Sequence, residues 1–224
     1  MSSGEPVHTG QSSQEARNVC AGPFGAVYDY YIERPRLARL VLGLMWGVDP
    51  RPFYRSIAAV GEMPDGATIL DVPCGGGVAL RGLHPEQRLS WIGVDVEPAM
   101  LRRAHRRAAR FPAVQTRLIE GDMVALPLED CIADLCLSYG GLHCVPNPDT
   151  ALAEMARCLR PGGRLVGSTF LTEGSRRQRR LLCGDDFGRT GTADDLRQWL
   201  RECGLTDVSI DRDDGLAVFS ARRP

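Results

Sequence analysis

Three carboxylates, Asp71, Asp95 and Asp122, stand where an apolar run gives way to a loop. The first closes Ile69-Leu70-Asp71 and is followed at once by Val72-Pro73-Cys74-Gly75-Gly76-Gly77. A buried parallel strand hands over in this way to a loop carrying a small polar ligand. Glycines let the backbone approach the ligand, and a following helix presents its N-terminus. Pro73 cannot take a positive φ, so the loop's conformational freedom falls to Gly75–Gly77. Asp95 ends Ser-Trp-Ile-Gly-Val-Asp, 24 residues after Asp71, where a carboxylate can accept from both hydroxyls of a ribose. Asp122 lies in Glu120-Gly121-Asp122-Met123, and Ser138 closes a fourth apolar run. Each of these also reads singly as a strand-end or turn residue. A shared ligand site requires them to meet.

Alternating elements would bring them together. Leu37, Leu40, Val41, Leu44 and Met45 keep helical spacing, so residues 35–46 read as an amphipathic helix. Asp49-Pro50 opens another helix to about Val60, and residues 61–66 form a turn. Strands are expected at 68–71, 90–95, 116–120, 133–138 and 164–170. Helices are expected from the glycine loop to Leu83, over 98–110 and over 149–159, the last stopped by Pro161-Gly162-Gly163. A basic segment over 175–182 reads as helical. Thr192 caps a helix ending before Gly204, and Asp213-Asp214-Gly215 turns a closing hairpin. The pattern predicts an α/β, doubly wound, Rossmann-like sheet of seven strands, mostly parallel with an antiparallel C-terminal hairpin strand and helices on both faces. Its ligand would sit beyond the C-terminal strand ends.

Composition narrows the partners. The 224 residues suit one core, and a net charge of −1 gives no field to attract nucleic acid. All 27 basic residues are Arg. The eight Cys include no C-x-x-C pair, so a metal site or disulfide framework is not expected, and buried thiols in a cytoplasmic protein fit better. No apolar run reaches the ~20 residues of a membrane span, and no membrane partner is expected. Residues 1–18 are Ser/Gly/Gln-rich and read as a disordered tail, 19–66 as a helical cap or lid, and 67–224 as the ligand-binding domain.

From Thr68 onward the chain resembles the class I S-adenosylmethionine (SAM)-dependent methyltransferases, most closely the small-molecule branch with the ubiquinone/menaquinone-type enzymes. Four segments carry the resemblance in order: Asp71–Gly77, Gly93–Met100, Glu120–Met123, and Leu135–Pro146 with Leu159–Leu165. Pro73 departs from the family, which has Gly there. The resemblance implies that Cys74, Gly75 and Gly77 lie along the methionine part of SAM and that Asp71 reaches its ammonium. Asp95 would hold the ribose, Val96 and Met100 would flank adenine, and Asp122 and Met123 would meet the adenine edge. Ser138 would offer its backbone carbonyl to the ammonium. S-adenosylhomocysteine (SAH) would be the product. Ser138-Tyr139-Gly140-Gly141 lacks the Asn/Asp-Pro-Pro-Tyr of amino-group methylases.

Methyl transfer by in-line displacement rests on alignment and desolvation. His143 is the one candidate base, expected to face the cavity; the alternative is a His that only packs. Aromatic residues before the first strand, Tyr28, Tyr30, Tyr31, Trp46, Phe53 and Tyr54, with Met45, are candidates for an acceptor lid, or for helices merely packed on the sheet. Arg176, Arg177, Arg179 and Arg180 read as a solvated face or a contact for an anionic acceptor. A SAM-binding regulator or assembly protein without catalysis, and a nicotinamide-dependent oxidoreductase, are the competing readings. The acceptor, the atom methylated and the oligomeric state are not legible.

Overall fold

The computed structural model describes residues 27, 30–176, 178, 180 and 188–224. The expected tail, Tyr28, Arg177 and Arg179, and half of the basic segment over 175–182 lie outside the described residues. So do Cys20 and Cys183.

Helices α1 (Pro35–Met45) and α2 (Arg51–Ser56) precede the sheet, and a 3-10 turn, Ile57–Val60, continues α2. Asp49 Oδ1 accepts from Arg51 N at 3.0 Å just ahead of α2, but the N-cap is Pro50, so Pro50 lies before the first turn and Asp49 is one residue short of the expected cap. Then come β1 (Thr68–Asp71), β2 (Ser90–Asp95), α3 (Pro98–Ala108), β3 (Gln115–Glu120), β4 (Ala133–Tyr139), α4 (Pro148–Cys158) and β5 (Leu159–Phe170). Helix α5 (Ala193–Glu202) and the hairpin β6 (Thr206–Asp213) and β7 (Leu216–Arg222) complete the fold. The seven strands lie in the order β3-β2-β1-β4-β5-β7-β6, with β1–β5 parallel and β7 antiparallel to both its neighbours. Strand order reverses between β1 and β4, which opens a crevice at their C-terminal ends.

Successive strand residues feed opposite faces. Ile69, Trp91, Leu135 and Leu137 pack with Ala38 and Leu42 of α1, Phe53 of α2 and Ala104 of α3. Leu70, Ile92 and Cys136 pack with Leu152 and Met155 of α4 and with Leu196, Trp199 and Leu200 of α5. The two pre-sheet helices therefore share the core of one sheet face. Thr192 and Asp195 form a capping box at α5, and Gly204 follows it with φ +77°.

Two further expectations are corrected. The glycine loop leads into a single 3-10 segment, Val78–Gly82, instead of a helix to Leu83. Gly82 lies so close to Ile57 O and Val60 that the chain must turn there. Pro161-Gly162-Gly163 does not stop α4, which ends earlier at Cys158. The tripeptide is instead an irregularity inside β5: Ala133 pairs with Leu159, but Leu135 pairs with Arg164, and Gly162 takes φ +80° to absorb the extra residues.

Candidate active site

A cavity of about 120 Å³ opens at the switch between β1 and β4. That is far more than the ~10–15 Å³ that holds one water, so the space is of ligand size. Asp71, Asp95 and Asp122, from the ends of three neighbouring strands, all line it. Cys74, Gly75, Val96, Met100 and Met123 line it too. Gly77 and Ser138 do not.

The backbone positions each group. The Val72–Pro73 peptide is cis, and Cys74 N donates to Val94 O at 2.9 Å, which folds the loop over β2. Gly75 then takes φ +51°, and a Cβ there would meet nothing within 4 Å. Gly77 takes φ +80°, but a Cβ there would meet Leu80 Cδ1 and the Ala104 backbone at 3.2 and 3.4 Å. Gly75 thus faces the open cavity, whereas Gly77 packs the loop against α3.

Asp95 ties these parts together. Its Oδ2 accepts from Gly75 N at 2.8 Å and its Oδ1 from Glu97 N at 2.9 Å. Burial raises its pKa, and those backbone donors oppose the rise. Each oxygen retains a lone pair for a ligand hydroxyl. Asp71 is buried, and its Oδ2 has no hydrogen-bond partner. Burial pushes its carboxyl well up; the Trp91 indole opposes this, although its N–H falls short of hydrogen-bond geometry, and Asp95 adds to the rise. An orphaned, buried carboxylate oxygen is costly unless a ligand donor satisfies it. Asp122 Oδ1 accepts from Val124 N at 3.1 Å, which fixes the turn after β3.

Besides Gly77, two more expected site residues lie outside the cavity lining. Ser138 is fully buried within the sheet beside Gly167, and the cavity wall at the end of β4 is Tyr139, Gly140 and Gly141. His143 does not face the cavity. The 3-10 turn Leu142–Cys144 carries its ring toward β5, where Phe170 N donates to Nδ1 at 3.4 Å and the Phe170 ring meets it edge-on. Burial lowers its pKa to about 4, so the ring is neutral at pH 7. Arg176 and Arg180 are exposed and outside the cavity lining. Among the candidate lid residues, Trp46 stacks on Phe170 at 4.8 Å, Phe53 is buried against Tyr139, and Tyr30 and Met45 are exposed.

Sequence reasoning missed Ile32, Tyr139, Cys144 and Val145 as lining residues. Tyr139 was the legible one, since it directly follows the Ser138 strand end. Ile32 had no signal, because it reaches the cavity from a segment before the first helix. Among the described residues no cluster of His, Cys, Asp or Glu could hold a metal ion, and no helix is long and apolar enough to cross a membrane.

The strand order and the cavity at the strand ends are those of the Rossmann-like fold that methyltransferases adopt. Residues 70–167 match the family model described as a methyltransferase domain, a span that begins in β1, contains the glycine loop and all three acids, and ends in β5. In sequence the chain is similar to an uncharacterised chloroplastic methyltransferase of Arabidopsis thaliana, 29% identical over 172 residues, covering 71% of this chain and 48% of that protein. It is also similar to the demethylmenaquinone methyltransferase of Tropheryma whipplei, 37% identical over 105 residues, covering 47% of this chain and 42% of the relative. The chain thus spans about half the length of the curated relatives it matches, or less. Among solved structures it resembles phosphoethanolamine N-methyltransferase 2 of Haemonchus contortus in complex with SAM, with TM-score 0.72 and 14% identity, over 94% of this chain and 60% of that one. At that identity the likeness concerns the fold.

Proposed function

We propose that this chain is a SAM-dependent methyltransferase acting on a small-molecule acceptor. The observation that carries the reading is the convergence of Asp71, Asp95 and Asp122 on one cavity floored by the left-handed Gly75. The groups fit the methyl donor. The unpartnered Asp71 Oδ2 suits an ammonium, and Asp95 keeps acceptor capacity for a ribose diol. Val96, Met100 and Met123 offer apolar contact to a purine, and Asp122 offers an acceptor to its amine.

When bound, the donor supplies an activated methyl group on a positively charged sulfur. The chain's own residues then orient and desolvate. Asp95 fixes loop and ligand with one carboxylate, and the Tyr139–Gly141 wall keeps water from the acceptor side. His143 serves in this reading as a packed, neutral ring. Residues 31–60 serve as the cap, contributing Ile32 to the cavity rim.

Calorimetry with SAM, SAH and NAD, followed by a labelled-SAM transfer screen over phenols, quinones, amines and carboxylic acids, tests the reading. SAM and SAH binding with transfer supports it. Binding without transfer to any acceptor class favours a SAM-sensing regulator, and NAD binding instead of SAM favours an oxidoreductase.

A further inference from the structure

The cavity has two chemically unlike halves. All three acids come from β1, β2 and β3, on one side of the strand-order switch. The other half is built from the end of β4, the loop after it and the segment before α1. It is lined by Ile32, Tyr139, Cys144 and Val145, with Pro73 of the loop after β1 packed on Gly141 at the boundary between the halves. Among the described lining residues that half holds no charged side chain, and no cation lines either half. An anionic acceptor would thus find no side-chain counter-charge among the described lining residues, only the donor's own sulfonium, and would give up its hydration to an apolar wall.

Tyr139 is the largest side chain lining this half, and its ring is held from behind. Phe53 meets it edge-to-face at 5.1 Å, and its hydroxyl lies 3.3 Å from Ser56 Oγ on α2. Ser56 Oγ donates to Phe53 O at 2.7 Å and, more weakly, to the Tyr139 hydroxyl oxygen at 3.3 Å, so the tip of the ring is engaged from the α2 side. Burial raises the Tyr139 pKa, with Ser56 opposing and Asp71 adding to the rise, which keeps the phenol neutral. The ring is therefore a fixed apolar wall whose polar tip is already engaged.

We infer that the acceptor is an uncharged, largely apolar molecule with a flat ring or conjugated face, and that the Tyr139 ring is its specificity-determining surface. This rests on the methyltransferase reading for the identity of the other half. The test uses the full chain saturated with SAH at pH 7 and two probes of like shape, 2-naphthol, neutral at that pH, and 2-naphthoate, an anion. Equilibrium dialysis measures both affinities. The naphthol is expected to bind at least tenfold more tightly, a preference that Tyr139→Phe keeps. Tyr139→Ala or Tyr139→Leu, with SAH affinity unchanged, should lose at least tenfold in naphthol affinity. Naphthoate binding as tightly as naphthol in the wild-type protein overturns the inference, with no variant needed. Variants that bind SAH and retain the full naphthol preference overturn the role of Tyr139. Failure of the wild-type chain to bind SAH would count against the methyltransferase reading alone, because the two probes can still be compared on the protein without SAH.

Discussion

Gly75→Ala separates the loop's part in binding from its part in folding. Gly75 has φ +51°, where an L-residue costs about 1–2 kcal/mol. A Cβ there would meet nothing within 4 Å, so the variant adds backbone strain without a packing clash. Its methyl enters the cavity beside Asp95, whose Oδ2 is bonded to the same residue's N–H. Gly66 provides a matched control, because it has φ +85°, an equally open Cβ position and no part in the cavity lining. Both variants should lose about 1–2 kcal/mol in urea denaturation. Only Gly75→Ala should weaken SAH binding in calorimetry, by tenfold or more, which is about 1.4 kcal/mol. Equal SAH affinity in the two variants, with equal loss of stability, would refute the placement of the donor along this loop.

Two further outcomes follow from the site. In Asp95→Asn the amide keeps one acceptor oxygen, so either Gly75 N–H or Glu97 N–H faces an NH2 group; stability should fall by about 1–3 kcal/mol and SAH affinity at least tenfold, and unchanged affinity in calorimetry would contradict the assignment. His143 should contribute an acid sensitivity: its native pKa of about 4 lies below the unfolded value of 6.5, so the unfolded state binds its proton first. Its stability contribution is complete above pH 6.5 and is lost as pH falls from 6.5 toward 4, by up to about 3 kcal/mol. In His143→Leu the difference in urea midpoint between pH 7 and pH 4.5 should shrink, and an unchanged difference would argue against a buried neutral ring.

The sheet was legible because its physics is local. Each parallel strand contains a short apolar stretch, only Leu118-Ile119 in β3, that gives way to a carboxylate or turn, and five of them fix the order of alternation without any contact being known. The three acids were legible for the same reason, being the last residues of those runs or just beyond. Less local features escaped. The segment after Gly77 has helical composition, but Gly82 is pressed on Ile57 and Val60, a contact 22 residues or more away in sequence. Pro161-Gly162-Gly163 has the composition of a helix stop, and only the pairing of Ala133 with Leu159 shows that the strand begins before it. The direction of the His143 ring is set by Phe170 on a different strand. Ile32 reaches the cavity through tertiary packing that no periodicity encodes.

The position of β7 between β5 and β6 has a consequence for the order of assembly. β6 is bonded to β7 alone, and β5 is bonded to β4 on one side and β7 on the other. During synthesis β6 emerges first, yet it has no place in the sheet until Leu216–Arg222 has followed it. Until then the long edge of β5 stands open, a template for pairing with β6 in the wrong place or with another chain. When β7 arrives, Arg223 just beyond it bonds the carbonyls of Ala156, Arg157 and Leu159, latching the last strand to the end of α4. The sheet is therefore completed from its interior, and a chain truncated before residue 216 would leave both the edge of β5 and the whole of β6 without a partner.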